Sequence, residues 1–162
     1  MENLSRDLLK ELFEYKDGHL FWKSKPNRRI DISNPAGTIN TNGYLETRIN
    51  GKTYKTHRLV FLMHHGYLSK EIDHIDGNKS NNAIENLRPA TRSQNNHNKG
   101  KPKNNTSGYK GVYWKKAAGK WIAQIGINGK RKHLGYFDTA EQAHEAYCRA
   151  ANELHQQYAN FG

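Results

Sequence analysis

Glu71 to Asn96 reads EIDHIDGNKSNNAIENLRPATRSQNN, and the expected fold is set by the order of side chains in this stretch. Asp73 and His74 are adjacent, Asn86 follows twelve residues after the histidine, and Asn95 nine residues after that. A neutral imidazole, with an ordinary pKa of roughly 6.5, can take a proton at physiological pH. A carboxylate and an amide oxygen are hard donors that suit a cation such as Mg2+. An amide bonded to the second imidazole nitrogen fixes the tautomer of the ring. A base for water and a cation for the charge building on phosphate are the two requirements of phosphodiester hydrolysis. Residue types alone do not decide the matter, because a His beside an Asp is commonly a surface pair and GNKSNN is commonly a turn. Alternation along a regular strand also aims Asp73 and His74 at opposite faces, so a shared site needs a twisted or bulged strand end.

The charge around this stretch points to a polyanion. The 162 residues carry a formal net charge of +11. Between Asn86 and Phe137 there is no Asp or Glu, while twelve Lys and Arg fall there. Basic side chains that neutralise phosphates release condensed counterions, which favours nucleic acid as partner. A charge run can equally be a solvated face, and a basic ribosomal or membrane-surface protein shares the balance. The 35% hydrophobic share and mean hydropathy of -1.02 argue for two small domains over one large core. No apolar run approaches the roughly 18 residues of a membrane span, and the polar start lacks the apolar centre of a signal peptide. The expectation is therefore an intracellular protein that does not engage membranes. The single cysteine, Cys148, excludes an internal disulfide and any multi-cysteine zinc site.

Outward toward the N-terminus, Leu4, Leu8, Leu12 and Phe13 recur at helical spacing, and Asp17-Gly18 marks a tight turn before HLFW. Two strands are expected over Tyr44 to Ile49 and Tyr54 to Leu59, joined by Asn50-Gly51, with the apolar LVFLM helical after them. Toward the C-terminus, GKPKNNTSG has little to bury and reads as a linker. The expected division is residues 1–99, a linker at 100–107, and a second domain at 108–162.

The ordered series resembles the HNH endonuclease family, in particular the homing endonucleases of phages and mobile introns, whose motif reads Asp-His, then Asn-Leu, then a final Asn. Here these are Asp73-His74, Asn86-Leu87 and Asn95, and the likeness runs from Tyr44 to Asn98, taking in Thr56-His57-Arg58-Leu59-Val60. Asp73 stands where the signature can begin with a histidine, a variant common among these nucleases. The resemblance implies His74 as general base, Asn86 as the residue orienting it, and Asp73 and Asn95 as ligands of one Mg2+ or Mn2+ ion. It implies a ββα-metal (His-Me) finger, with Asp73 and His74 on the first strand, Leu87 to Thr91 as the second, and Arg92 to Asn98 opening the helix. Asn96 and Asn98 stand close to Asn95, which spacing favours. His57 either positions a phosphate or packs beneath the finger, while His64, His65 and His97 read as structural or surface residues.

In the C-terminal third, GYKGVYW, KWIAQIGINGKRKHLGYF and DTAEQAHEAYCRAANELH give three short strands and a helix, with Asn128-Gly129 as a hairpin turn. Asp138 with Glu141, or Thr139 with Gln142, can cap the helix, whose apolar stripe runs Ala140, Ala143, Tyr147, Ala150, Ala151, Leu154, Tyr158. This segment resembles the plant ethylene-response-factor (Apetala-type) DNA-binding domain through Tyr109-Lys110-Gly111-Val112, Lys120-Trp121 and Leu134 to Ala143. That likeness implies a sheet lying in the major groove, with Lys110, Tyr113, Lys115, Trp121, Gln124 and Arg131 at or near DNA. Lys110 replaces the usual Arg, and Tyr113 and His133 stand where Arg and Trp are typical, so the plant target sequence does not transfer. Trp114 and Trp121 also suit a core.

The expected class is thus α+β: a metal finger with an N-terminal β-hairpin extension, linked to a three-stranded antiparallel sheet packed on one helix. The leading reading is a site-specific homing-type endonuclease acting on double-stranded DNA, nicking as a monomer in the cytoplasm of a bacterial host. The alternative is a sequence-specific DNA-binding regulator with a vestigial nuclease domain. A basic RNA-binding protein explains the charge but neither motif.

Overall fold

Asp17-Gly18 and Asn50-Gly51 both place two consecutive residues at positive φ (48° and 80°; 46° and 80°), the requirement of a two-residue hairpin turn. The computed structural model describes residues 4–127 and 129–162. The chain divides between Pro89 and Ala90 into two compact units.

In the first unit, Ser5 caps α1 (Arg6–Leu12), accepting a hydrogen bond from Leu8 N. A hairpin of β1 (Phe13–Lys16) and β2 (His19–Trp22) follows. Then β3 (Thr38–Ile39), β4 (Leu45–Ile49) and β5 (Lys52–Lys55) form an antiparallel sheet in the order β3-β4-β5. The second strand of the hairpin ends at Lys55, short of the expected Leu59, because α2 (Thr56–His65) begins there. Leu59, Val60, Phe61 and Leu62 are buried in that helix, burial that a two-faced strand at a sheet edge would not give. The Thr47 and Thr56 hydroxyls meet at 2.8 Å in the interior and pin the start of α2 to β4. Gly66, at φ 78°, ends the helix in the left-handed region, its N–H returned to Leu62 O. Leu9, Phe13, Leu20, Ile49, Phe61 and Ile72 share one core. Next, β6 (Glu71–His74) pairs with β7 (Leu87–Ala90) in a two-stranded sheet.

The second unit opens on α3 (Arg92–His97), capped by a capping box of Thr91 and Gln94. In chain order β6, β7 and α3 give strand, strand, helix, within one residue of the expected bounds. Residues 100–107, expected as a linker, lie in this unit without helix or strand. They are tied down by polar side chains: Asn105 Nδ2 donates to Tyr109 O at 2.8 Å and Ser107 Oγ to Val112 O at 2.8 Å. Strands β8 (Val112–Lys115), β9 (Lys120–Ile127) and β10 (Lys130–Phe137) form an antiparallel sheet with β9 central. Gly129 sits at φ 77° in the β9–β10 turn; its expected companion Asn128 lies outside the described residues. α4 (Ala140–His155) packs on this sheet through Ala140, Ala143, Tyr147 and Ala151, and takes the Thr139–Gln142 capping box of the two alternatives. Leu154, expected in the stripe, is 36% exposed, and the buried neighbour is His155, whose ring nitrogen Nε2 lies 2.9 Å from Gly126 O. The carbonyl supplies the partner that lets a polar ring replace an aliphatic one.

Candidate active site

The end of β6 carries Asp73 and His74, both about 95% buried, and they meet different partners. Arg88, on β7, donates from Nε (2.9 Å) and Nη2 (2.7 Å) to the same oxygen, Oδ2, of Asp73. That pairing holds the carboxylate in one orientation. The His74 ring lies among Tyr44, His57 and Asn82, with Nε2 3.1 Å from Asn82 Oδ1. An amide oxygen only accepts, so Nε2 carries the proton and Nδ1 is the unprotonated, basic nitrogen. Burial lowers the His74 pKa, opposed by the Asn82 bond and by the carboxylates of Asp76 and Asp73, and it keeps the ring in its proton-accepting form. His57, whose ring edge meets that of His74 at 4.8 Å, is pushed down to about 3 by burial, then by the charges of His74, Lys55 and Arg58.

Asn86 does not touch His74, and the orienting role expected of it is corrected here. Its Oδ1 accepts from Asp76 N, and its Nδ2 donates to Asp76 Oδ1 and Asn81 O. The Asp76 carboxyl, also bonded by Asn81 Nδ2 and Asn78 N, stays below its ordinary pKa although burial alone would raise it. Asn86 thus closes the loop between β6 and β7, and this loop carries Asn82 to the imidazole. Asn82, 1% exposed, was not singled out from the sequence: in GNKSNNAIEN it is one of four asparagines, and nothing in residue type separates it from the others. Asn95 lies on α3, in the second unit.

The donor chemistry of Asp73 and Asn95, a carboxylate and an amide oxygen, fits a hard divalent cation. Among the described residues no group of three or more His, Cys, Asp or Glu is arranged to hold a metal ion.

In the second unit the strand register sorts the six expected DNA-facing residues. Residues directly opposite one another share a sheet face, which groups Tyr113, Ile122 and Tyr136, then Gln124 with His133 and Gly126 with Arg131. Lys115, two residues from Tyr113, joins that face, opposite the one on which α4 packs. Tyr113, Lys115, Gln124 and Arg131 therefore stand together. Trp121 does not. It pairs with Trp114 and Phe137 on the helix-covered face and packs against the cluster formed by Val112, Ala123, Ala140 and Ala143. Lys110 also departs from expectation: its Nζ is turned inward, donating to His97 O at 2.7 Å and Asn160 O at 2.9 Å, and burial lowers its pKa to about 8. Tyr136, 52% exposed, joins the outer face unforeseen. A register shift between His133 and Gly135 inserts Leu134 as an extra residue, and strict alternation from Arg131 would have turned Tyr136 inward.

The elements are small antiparallel sheets mixed with helices, with the series Asp73-His74, Asn86 and Asn95 running from β6 to α3 and a three-stranded sheet packed on α4 after it. The HNH endonuclease family matches residues 54–97, which include His57, Asp73, His74, Asn86 and Asn95, and the AP2 domain family matches residues 107–157. Protein 3.8 of Escherichia phage T7 is 42% identical over 90 residues, 56% of this chain and 74% of that protein. An uncharacterised HNH endonuclease of Acanthamoeba polyphaga mimivirus is 37% identical over 106 residues, 64% of this chain and 54% of that protein. APETALA2-like protein 2 of rice is 44% identical over 50 residues, 31% of this chain and 12% of that protein. No solved structure matches the chain. The chain belongs to the HNH endonuclease family and carries an AP2-type domain. No helix among the described residues is long and apolar enough to cross a membrane.

Proposed function

We propose that the protein is a homing-type DNA endonuclease that hydrolyses one phosphodiester per binding event, with His74 as general base. The observation that carries this reading is the buried imidazole whose Nε2 is committed to Asn82 Oδ1, which fixes the tautomer and makes Nδ1 the unprotonated, proton-accepting nitrogen. Asp73 and Asn95 hold Mg2+ or Mn2+ in this reading. When bound, the ion stabilises the charge developing on the phosphate and the leaving oxygen. Arg88 fixes the Asp73 carboxylate, and Asn86 holds the loop that delivers Asn82. The Tyr113, Lys115, Gln124, Arg131 face reads duplex DNA and supplies the choice of site; Tyr136 extends it. In this reading the catalytic residues lie within 1–99 and the DNA-reading residues within 108–162, a functional division that differs from the two compact units, which part after Pro89. The chain has a single Asp-His-Asn series, so a monomer offers one centre for two antiparallel strands, and nicking dominates.

The test is cleavage of a supercoiled plasmid and of duplexes with each strand labelled separately. Wild-type protein with Mg2+ is expected to nick one strand, leaving 5′-phosphate and 3′-hydroxyl ends, and chelation is expected to abolish cutting. His74→Ala is expected to lose at least about 100-fold in rate with DNA affinity retained. Wild-type turnover by that variant would remove His74 from the chemistry, and simultaneous cutting of both strands by a monomer would remove nicking.

A further inference from the structure

Beside His74, two ammonium groups converge on one aromatic ring. Lys55 Nζ lies 4.2 Å and Lys79 Nζ 5.0 Å from the centre of the Tyr44 ring, which is 5.5 Å from His57 and 6.2 Å from His74. The three residues come from separate places in the chain: Tyr44 just before β4, Lys55 at the end of β5, and Lys79 in the loop after β6. Lys79 is steered by its bond to Asn42 O at 3.1 Å. Among the described residues neither ammonium is within ion-pair distance of a carboxylate. Lys55 is also the N-cap of α2, gives that helix no side-chain cap, and precedes a first turn with no acidic residue. The positive end of the helix dipole and both lysines therefore add at one place. His57, in that first turn, is 95% buried and its Nδ1 has no hydrogen-bond partner. Burial, then the charges of Glu71 and Asp73, raises the Tyr44 pKa and keeps the phenol neutral, and Asp73 is itself paired with Arg88.

Held cations without counter-ions, beside a general base, are the chemistry of an anion subsite. We propose that Lys55 and Lys79, spaced by the Tyr44 ring, grip the DNA-backbone phosphate next to the scissile one and so place the scissile phosphate against His74. The ring holds both ammonium groups in position through cation–π attraction and limits how far either can swing. The subsite acts without metal, which separates it from Asp73 and Asn95. It rests on the nuclease reading for the word scissile, and on geometry alone for the phosphate.

The test uses the full chain in EDTA, with binding of duplex DNA measured against log salt. Lys55→Met and Lys79→Met are each expected to flatten the slope, and the pair by about one unit in all because both grip one phosphate, while Lys55→Arg keeps it. Both side chains are exposed, so the fold survives the change. Replacing single phosphates by methylphosphonates along the duplex locates the contact. One replacement is expected to weaken wild-type binding and to leave the double variant unaffected, and in Mg2+ that position should adjoin the nick, with KM raised and kcat kept. Unchanged salt slopes, or equal loss in wild type and double variant at every position, overturn the proposal. Absence of cleavage by wild type with the binding results intact would refute the nuclease reading and leave the phosphate subsite standing.

Discussion

At the residue scale the site assigns different work to two asparagines of the same loop. Asn82 bonds the imidazole, while Asn86 bonds Asp76 and Asn81. Asn82→Ala is therefore expected to lower kcat, because the ring loses the bond that fixes its tautomer, whereas Asn86→Ala is expected to lower the unfolding midpoint first and activity through it. Rates measured well below the midpoint of each variant separate the two effects; equal losses of kcat per unit of lost stability would deny Asn82 its special place. His57 makes a second prediction. Its folded pKa of about 3 lies below the ordinary value of 6.5, so the folded state binds fewer protons than the unfolded one. Its contribution is complete above pH 6.5 and is lost as pH falls toward about 3, with a limiting slope of about 1.4 kcal/mol per pH unit. Urea unfolding from pH 7 to pH 4 should show falling stability, and His57→Phe should flatten that fall; an identical profile in the variant would show that other groups carry it.

At the scale of elements, the C-terminal sheet and helix close on one glycine. Gly111 sits at φ 74°, and a Cβ there would lie 2.4 Å from Tyr147 Cδ2 and 2.6 Å from Gln124 O. Gly111→Ala combines left-handed strain with overpacking against α4, a cost of about 2–4 kcal/mol. Denaturant unfolding should report that loss together with weakened DNA binding; a variant as stable as wild type would mean that α4 can move off the sheet without penalty. Gly108 and Gly119 also sit at positive φ, but nothing lies within 4 Å of a Cβ built on either, so alanine there meets backbone strain without a clash. The bulge at Leu134 belongs to the same scale, since it alone puts Tyr136 beside Tyr113 on the outer face.

At the scale of the whole molecule, the helix that bears Asn95 belongs to the compact unit of the AP2-type domain. His97, at the end of α3, stacks on His155 at 3.6 Å with ring planes 9° apart, Lys110 bonds His97 O, and Asn160 Nδ2 donates to Asn98 O at 2.9 Å. Truncation after Ser107 removes every one of these supports. It is therefore expected to lower cleavage of any DNA, cognate or scrambled, and to raise the Mg2+ requirement, as well as to weaken binding. Cleavage assays over a Mg2+ series for the full chain and the truncation decide the matter. A truncated protein that cuts scrambled DNA as fast as the full chain would show that the C-terminal domain contributes binding alone.

Hairpin turns, the polar loop, the helix caps and the Asp-His-Asn series could be read from the sequence because each is a local event. Asn-Gly at positive φ, Thr with Gln three residues later, and the spacing of Asp73, His74, Asn86 and Asn95 depend on neighbours in the chain. The resemblance to the HNH family implied the strand-strand-helix order from Glu71 to His97, while local signals gave the sheet-then-helix order of the C-terminal third. They misjudged Tyr54 to Leu59, because its apolar-polar alternation reads as a strand while packing of α2 against α1 and β4 decided for the helix. Which asparagine meets His74, which way Lys110 and Trp121 turn, and that Tyr44, Lys55 and Lys79 converge were settled by tertiary structure alone. Those outcomes depend on residues far apart in the chain, on a one-residue bulge that reverses a face, and on the space left after packing, none of which residue type or local periodicity encodes.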